Sequence, residues 1–138
     1  MFRLRFLEMN KNQSSQERLE RIDRITAAIA ALEQQKELLF AQGKVAPPGA
    51  VVSRYQVRQQ QKIYRYYKLQ APEPTFPKAH KAKTLSKYKH LGKAGSEAHI
   101  TAVMQVVRRG QIDEIQRTID TLVQNLLDVS YDEQPQQK

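Results

Sequence analysis

Residues 51–70 read VVSRYQVRQQQKIYRYYKLQ, and the fold of the chain turns on how they pair. Two runs rich in Val, Ile and Tyr, residues 51–58 and 62–70, flank Gln59-Gln60-Gln61. Such residues suit a pleated surface, and two runs so close together predict a β-hairpin. The intervening glutamines lack the Asn-Gly or Asp-Gly that would fix the loop type. Residues 71–83 carry Pro72, Pro74 and Pro77 and then the basic run KAHKAK, which predicts a flexible loop. Residues 84–91 predict a third, shorter strand closed by Gly92. The expectation is a small three-stranded antiparallel sheet.

Alternate residues of a strand point to opposite sides. Val51, Tyr55 and Val57 fall on one side of the first strand, and Arg54, Gln56 and Arg58 on the other. In the second strand Ile63, Tyr67 and Leu69 oppose Lys62, Tyr64, Tyr66 and Lys68. In the third, Tyr88 and His90 oppose Lys87 and Lys89. Matching apolar with apolar predicts one face that covers a helix and one face of Arg, Gln, Lys and Tyr. Arg65 falls on the apolar side and is assigned to its rim.

Working outward, Val45 to Ala50 contains Pro47-Pro48-Gly49, a connector that cannot be helical. Before it, Ser14 or Ser15 caps a helix over residues 14–43 that ends at Gly43. Ile22, Ile25, Ile29, Leu32 and Leu39 recur at three- and four-residue steps, with Lys36 in the one missing place. After the sheet, Ser96 caps a second helix over residues 96–129. Ile100, Val103 and Val107 line its first turns. Ile112, Ile115, Ile119, Leu122, Leu126 and Val129 then repeat the three-four stepping. Gly110, in mid-helix, marks a kink or a close approach.

The fold class is therefore α+β: residues 44–95 form a basic sheet between two long helices that pair as an antiparallel coiled-coil hairpin. Pairing of each stripe with a second copy of the chain is the competing arrangement. Residues 1–13 are read as an extension, either a short edge strand or a leader ahead of a start at Met9. Residues 130–138 are read as a flexible tail.

The charge is unevenly spread. The chain has 23 Lys and Arg against 14 Asp and Glu, a net charge of +9. Twelve of the cations lie between Lys44 and Lys93 with a single carboxylate, Glu73, so that this stretch alone carries +11. It also holds five of the six tyrosines. Cations interleaved with aromatic rings suit a surface that meets phosphate and bases. The candidate nucleic-acid-binding residues are Arg54, Gln56, Arg58, Lys62, Tyr64, Tyr66, Lys68, Lys87 and Lys89. Lys81 and Lys83 of the loop and Lys93 after the third strand join them.

The run KIYRYYKL (residues 62–69), a loop, LSKYKHLGK (85–93) and a helix beginning SEAHITAV (96–103) resemble the integrase-type arm-binding domain and the plant ethylene-response-factor DNA-binding domain. The resemblance covers residues 51–109. It implies three antiparallel strands backed by one helix, with the exposed sheet face entering the DNA major groove. By position, the resemblance implies that Arg54, Gln56, Arg58, Tyr64, Tyr66, Lys68, Lys87 and Lys89 read the DNA. The sequence departs from that pattern in two places. Three Gln stand where the first turn has a glycine, and the proline-rich loop is longer than usual. The flanking helical pair lies outside such a domain.

With no Cys, disulfides and thiolate metal sites are excluded, which suits a reducing compartment, cytoplasmic or nucleoid-associated. No apolar run approaches the ~20 residues that span a bilayer. His80, His90 and His99 have no carboxylate or Cys at ligand spacing, and Asp113, Glu114 and Asp120 alternate with Arg108, Arg109 and Arg117 as ordinary helix-surface charges. No glycine-rich phosphate loop occurs. The expectation is a protein that is not an enzyme, needs no cofactor or metal, and binds DNA as a small accessory or regulatory factor. The alternative is a helical-hairpin adaptor for a partner protein, or an RNA-binding component of a ribonucleoprotein.

Overall fold

The computed structural model describes residues 2–78 and 80–132. Its elements are α1 (Phe2–Gln42), β1 (Val51–Gln59), β2 (Lys62–Gln70), β3 (Phe76–Lys78), β4 (Lys81–Ser86), β5 (Tyr88–Gly92) and α2 (Glu97–Tyr131). The class is α+β, with two long helices and a three-stranded antiparallel sheet between them in sequence. Contacts divide the chain into a helical unit, residues 1–38 with 114–138, and a sheet unit, residues 39–113.

In the helical unit the two stripes meet within one chain. Lys36 Nζ donates to Gln116 Oε1 at 2.7 Å, and Arg21 Nη1 meets Asp132 Oδ2 at 2.6 Å. Numbers fall along α1 as they rise along α2, so the pair is antiparallel. Ile22, Ile25, Ile29 and Leu32 are half-buried on the seam, while Ile119 and Val129 are buried. Lys36 fits the apolar seam because its stem packs while its ammonium reaches out to Glu33, 3.0 Å away, and to Gln116.

α1 begins at Phe2, twelve residues before the expected Ser14 cap. Residues 2–13 contain neither Gly nor Pro and are mostly good helix formers, so propagation overrides a local capping signal. The extension read over residues 1–13 is thus helical from Phe2 onward. α2 runs through Tyr131, and residues 133–138 of the expected tail lie outside the described residues.

In the sheet unit the strand order is β1-β2-β5, all antiparallel. The expected long loop instead contains a second sheet, the ribbon β3-β4. The expected third strand is divided accordingly. Residues 84–86 belong to β4, and only Tyr88–Gly92 joins the main sheet. Lys87 separates them, its carbonyl accepting the Ala71 N–H at 2.8 Å. Phe76 explains the ribbon, because it packs against the core and anchors the segment, and Pro77 inside β3 is tolerated because each strand of a two-stranded ribbon has an edge free of ladder bonds.

The core gathers Ala46, Ala50, Leu69, Leu91 and Ala102, with Val52, Tyr67, Phe76 and Val106 packed around it. Alanines on the connector and on α2 let backbone and helix approach the sheet closely. Arg109 Nε donates to the Ala46 carbonyl at 2.7 Å, and the Ala46 N–H donates to the Gln105 carbonyl at 3.2 Å. The expected contact face of α2 is shifted. Ala102 and Val106 face the core, while Ile100 and Val107 are 50% and 47% exposed. Ala102 takes the buried position, clustered with Leu69 and Leu91 of the sheet.

Ser96 caps α2 as the sequence predicts. Its Oγ accepts the His99 N–H at 3.2 Å and donates to the Leu91 carbonyl at 2.8 Å, tying the helix to the end of β5. Gly43 ends α1 differently from a left-handed cap. It leaves room for the Arg108 guanidinium, which would lie 3.0 Å from any added Cβ and which donates to the Lys44 carbonyl. Gly110 has no heavy atom within 4 Å of an added Cβ, so it marks no close approach.

Candidate nucleic-acid interface

The register of the hairpin decides what shares a face. β1 and β2 are joined by two residues, Gln60 and Gln61, with φ of 48° and 68°. Both lie in the left-handed region that a type I′ turn demands, the turn whose twist matches the strands. Gln59 therefore pairs with Lys62, Val57 with Tyr64, Tyr55 with Tyr66 and Ser53 with Lys68. A three-residue loop over residues 59–61 would have paired Arg58 with Lys62. Tightening the loop by one residue moves every side chain of one strand to the other face relative to its partner.

The expected single face of Arg, Gln, Lys and Tyr is accordingly two faces. Lys62, Tyr64, Tyr66 and Lys68 share the outer face with Tyr55, Val57, Tyr88 and His90. Arg54, Gln56 and Arg58 lie on the inner face, opposite Tyr67, Arg65 and Ile63. Lys89, across from Leu69, is on the inner side too. Lys81 and Lys83 lie on β4, and Lys87 follows it, so these three are exposed on or beside the second ribbon. Lys93 follows β5, with its ammonium 5.9 Å from the Tyr64 ring centroid.

On the outer face the rings form one connected surface. Centroids lie 5.8 Å apart for Tyr55–Tyr66, 6.4 Å for Tyr64–Tyr66 and 5.5 Å for Tyr66–His90. Tyr55 Oη and His90 Nδ1 share a hydrogen bond of 2.5 Å. The Lys68 ammonium sits 4.3 Å from the Tyr88 ring and 5.4 Å from the Tyr55 ring. Tyr55, Tyr64 and Tyr66 are half-buried against one another, and Tyr88 is 47% exposed. The core of the unit lies wholly against the other face.

The hairpin extends past β5, which pairs only with Tyr67–Gln70. The pairs from Tyr55–Tyr66 to Gln59–Lys62 therefore project as a two-stranded arm, about 15 Å long at roughly 3.4 Å per residue. Arg58, Lys62 and Arg65 lie on this arm and Arg54 at its root, all exposed. Among the described residues, none of the twelve cations from Lys44 to Lys93 is in a salt bridge.

The sequence reading missed Tyr55, Tyr88 and His90, assigning them to the covered side. The signal was Arg65. It is a misfit on an apolar face, but beside Gln56 and between Arg54 and Arg58 it is in register with its own kind.

His99, Arg109 and Arg117 have structural partners. His99 stacks on Tyr67 at 4.2 Å between centroids and accepts the Gly95 N–H at 3.0 Å. Arg109 pairs with Asp113 at 3.4 Å, and Arg117 with Glu114. Among the described residues, no cluster of three or more His, Cys, Asp or Glu forms, and no helix is long and apolar enough to cross a membrane. Comparison with protein-family models, curated proteins and solved structures returns no match.

Proposed function

We propose that the chain binds double-stranded DNA through the projecting β1-β2 arm, as a small accessory or regulatory factor in a reducing compartment, cytoplasmic or nucleoid-associated. The observation that carries this reading is a set of twelve cations with one carboxylate, on the strands, their borders and the connector before β1, without ion-pair partners among the described residues. Unpaired cations on rigid strands attract phosphate and release its counterions. An arm about 15 Å long matches a B-form major groove, roughly 12 Å wide and 8.5 Å deep, which admits a two-stranded ribbon. Arg54, Arg58 and Arg65 on its inner face and Lys62 at its tip would then meet phosphates, and Gln56 between the arginines would face base edges. The lysines of the second ribbon extend the backbone contacts. The deep, narrow major groove of A-form RNA would exclude such an arm.

Mobility shift over a salt series tests this, with duplex DNA, duplex RNA and single strands as competitors. If Arg54, Arg58, Lys62, Arg65, Lys68 and Lys89 all meet phosphate, log affinity falls against log salt with a slope of about −5. A slope near zero, or duplex RNA competing as well as duplex DNA, overturns the proposal. Exposed Val123, Leu127 and Tyr131, four residues apart on α2, favour a second reading in which the helical unit docks a partner protein. The salt slope separates the two readings.

A further inference from the structure

We infer that the outer face of the sheet is a stacking platform for unpaired DNA bases, so that the preferred ligand is duplex DNA bearing a single-stranded branch. This rests on the duplex reading above and adds a second ligand surface to it.

Four observations lead there. Tyr55, Tyr64, Tyr66 and His90 form a continuous aromatic surface, with neighbouring centroids 5.5–6.4 Å apart. It lies opposite the side against which the core packs, so the rings are not needed to close that core. The charges beside them, Lys62, Lys68 and Lys93, are all positive, and the register puts no carboxylate on this face. The Lys68 ammonium sits over Tyr88, outside the four platform rings, and that of Lys93 lies 5.9 Å from the Tyr64 centroid, so cations border the platform where a strand laid across it would bring its phosphates.

Rings on a sheet cannot reach bases inside an intact duplex, because those bases are stacked on each other. Unpaired bases offer their faces, and stacking on aromatic side chains between backbone-tracking cations is how single strands are held without a fixed sequence. The arm separates the two chemistries. Arg54, Gln56 and Arg58 occupy one face, and the rings the other. A duplex held by the first has a displaced strand within reach of the second.

The test uses the full chain with three DNA probes: a blunt duplex, the same duplex with an unpaired oligo-dT branch carrying one 2-aminopurine, and oligo-dT alone. The branched probe binds about tenfold more tightly than the blunt duplex, the gain expected from stacking one or two bases. The 2-aminopurine fluorescence falls on binding. In Y64L/Y66L, which keeps apolar side chains on the strand, the ratio of branched to blunt affinity drops to about one. A wild-type ratio of one, or a variant that folds and keeps the full ratio, overturns the inference. If the variant fails to fold, the fluorescence of the wild-type complex decides, and an unquenched signal counts against stacking. Tighter binding of an oligo-rU branch than of oligo-dT overturns the assignment to DNA. Binding of the branch and of oligo-dT without any binding of the blunt duplex sinks the duplex reading and leaves the platform standing.

Discussion

Replacing Gln60-Gln61 with Asn-Gly should stabilise the sheet unit. Both glutamines occupy the left-handed region, with φ of 48° and 68°. A side chain with a Cβ adopts that conformation at about 1–2 kcal/mol per residue. Asn tolerates it better and glycine adopts it freely, so much of the strain disappears in Q60N/Q61G. Glycine returns roughly 0.5–1 kcal/mol through the greater freedom of the unfolded chain. The net expectation is a gain of about 1–2 kcal/mol, or at least ~4 °C in Tm for a unit of this size. Near-UV circular dichroism of the tyrosines is the appropriate probe, since five of the six lie in the sheet unit. Q61V should move the other way by a similar amount, because a β-branched side chain is least compatible with φ of 68°. A Tm that stays put or falls in Q60N/Q61G would refute the two-residue turn. With it would go the register that places Tyr55, Tyr66 and His90 on one face.

Two further outcomes test the helices. Gly110→Ala adds a methyl where nothing lies within 4 Å, in the interior of α2, so it should raise stability by about 1 kcal/mol in chemical denaturation. Ile119→Asp puts a carboxylate at a position only 4% exposed on the helical seam, at a cost of roughly 3–4 kcal/mol. Because the seam forms within one chain, sedimentation and melting across protein concentrations should show that loss to be concentration-independent.

The helical seam was legible because its signal is redundant. Six positions per stripe repeat one spacing, and Lys36 in a single place cannot erase it. The Ser96 cap was legible for a related reason, since the hydroxyl stands directly between a closed strand and a periodic run. The faces of the sheet were not, because strand parity hangs on one loop residue. Gln59 sits in the ladder, yet nothing in three identical glutamines says which two form the turn. The β3-β4 ribbon stayed hidden behind its prolines, whose local preference is overridden by Phe76 reaching the core. Similarly, Ile100 and Val107 looked like packing residues by hydropathy alone. Which turn of α2 meets the sheet, that of Ala102 and Val106, appears only once the two are brought together.

β1 is an edge strand of the main sheet, and its outward N–H and C=O groups are a template on which another chain can add a strand. Arg54 and Arg58 on that edge repel a second copy offering the same edge. The charges proposed to draw in a polyanion thus also act as gatekeepers against fibrillar self-association. A loss-of-binding variant made by stripping them to alanine or valine would leave a Val-, Tyr- and Gln-rich edge strand with no charge of its own to keep copies apart. Reversing them to glutamate removes phosphate affinity while retaining repulsion between copies, and it keeps failure to bind separate from failure to stay in solution.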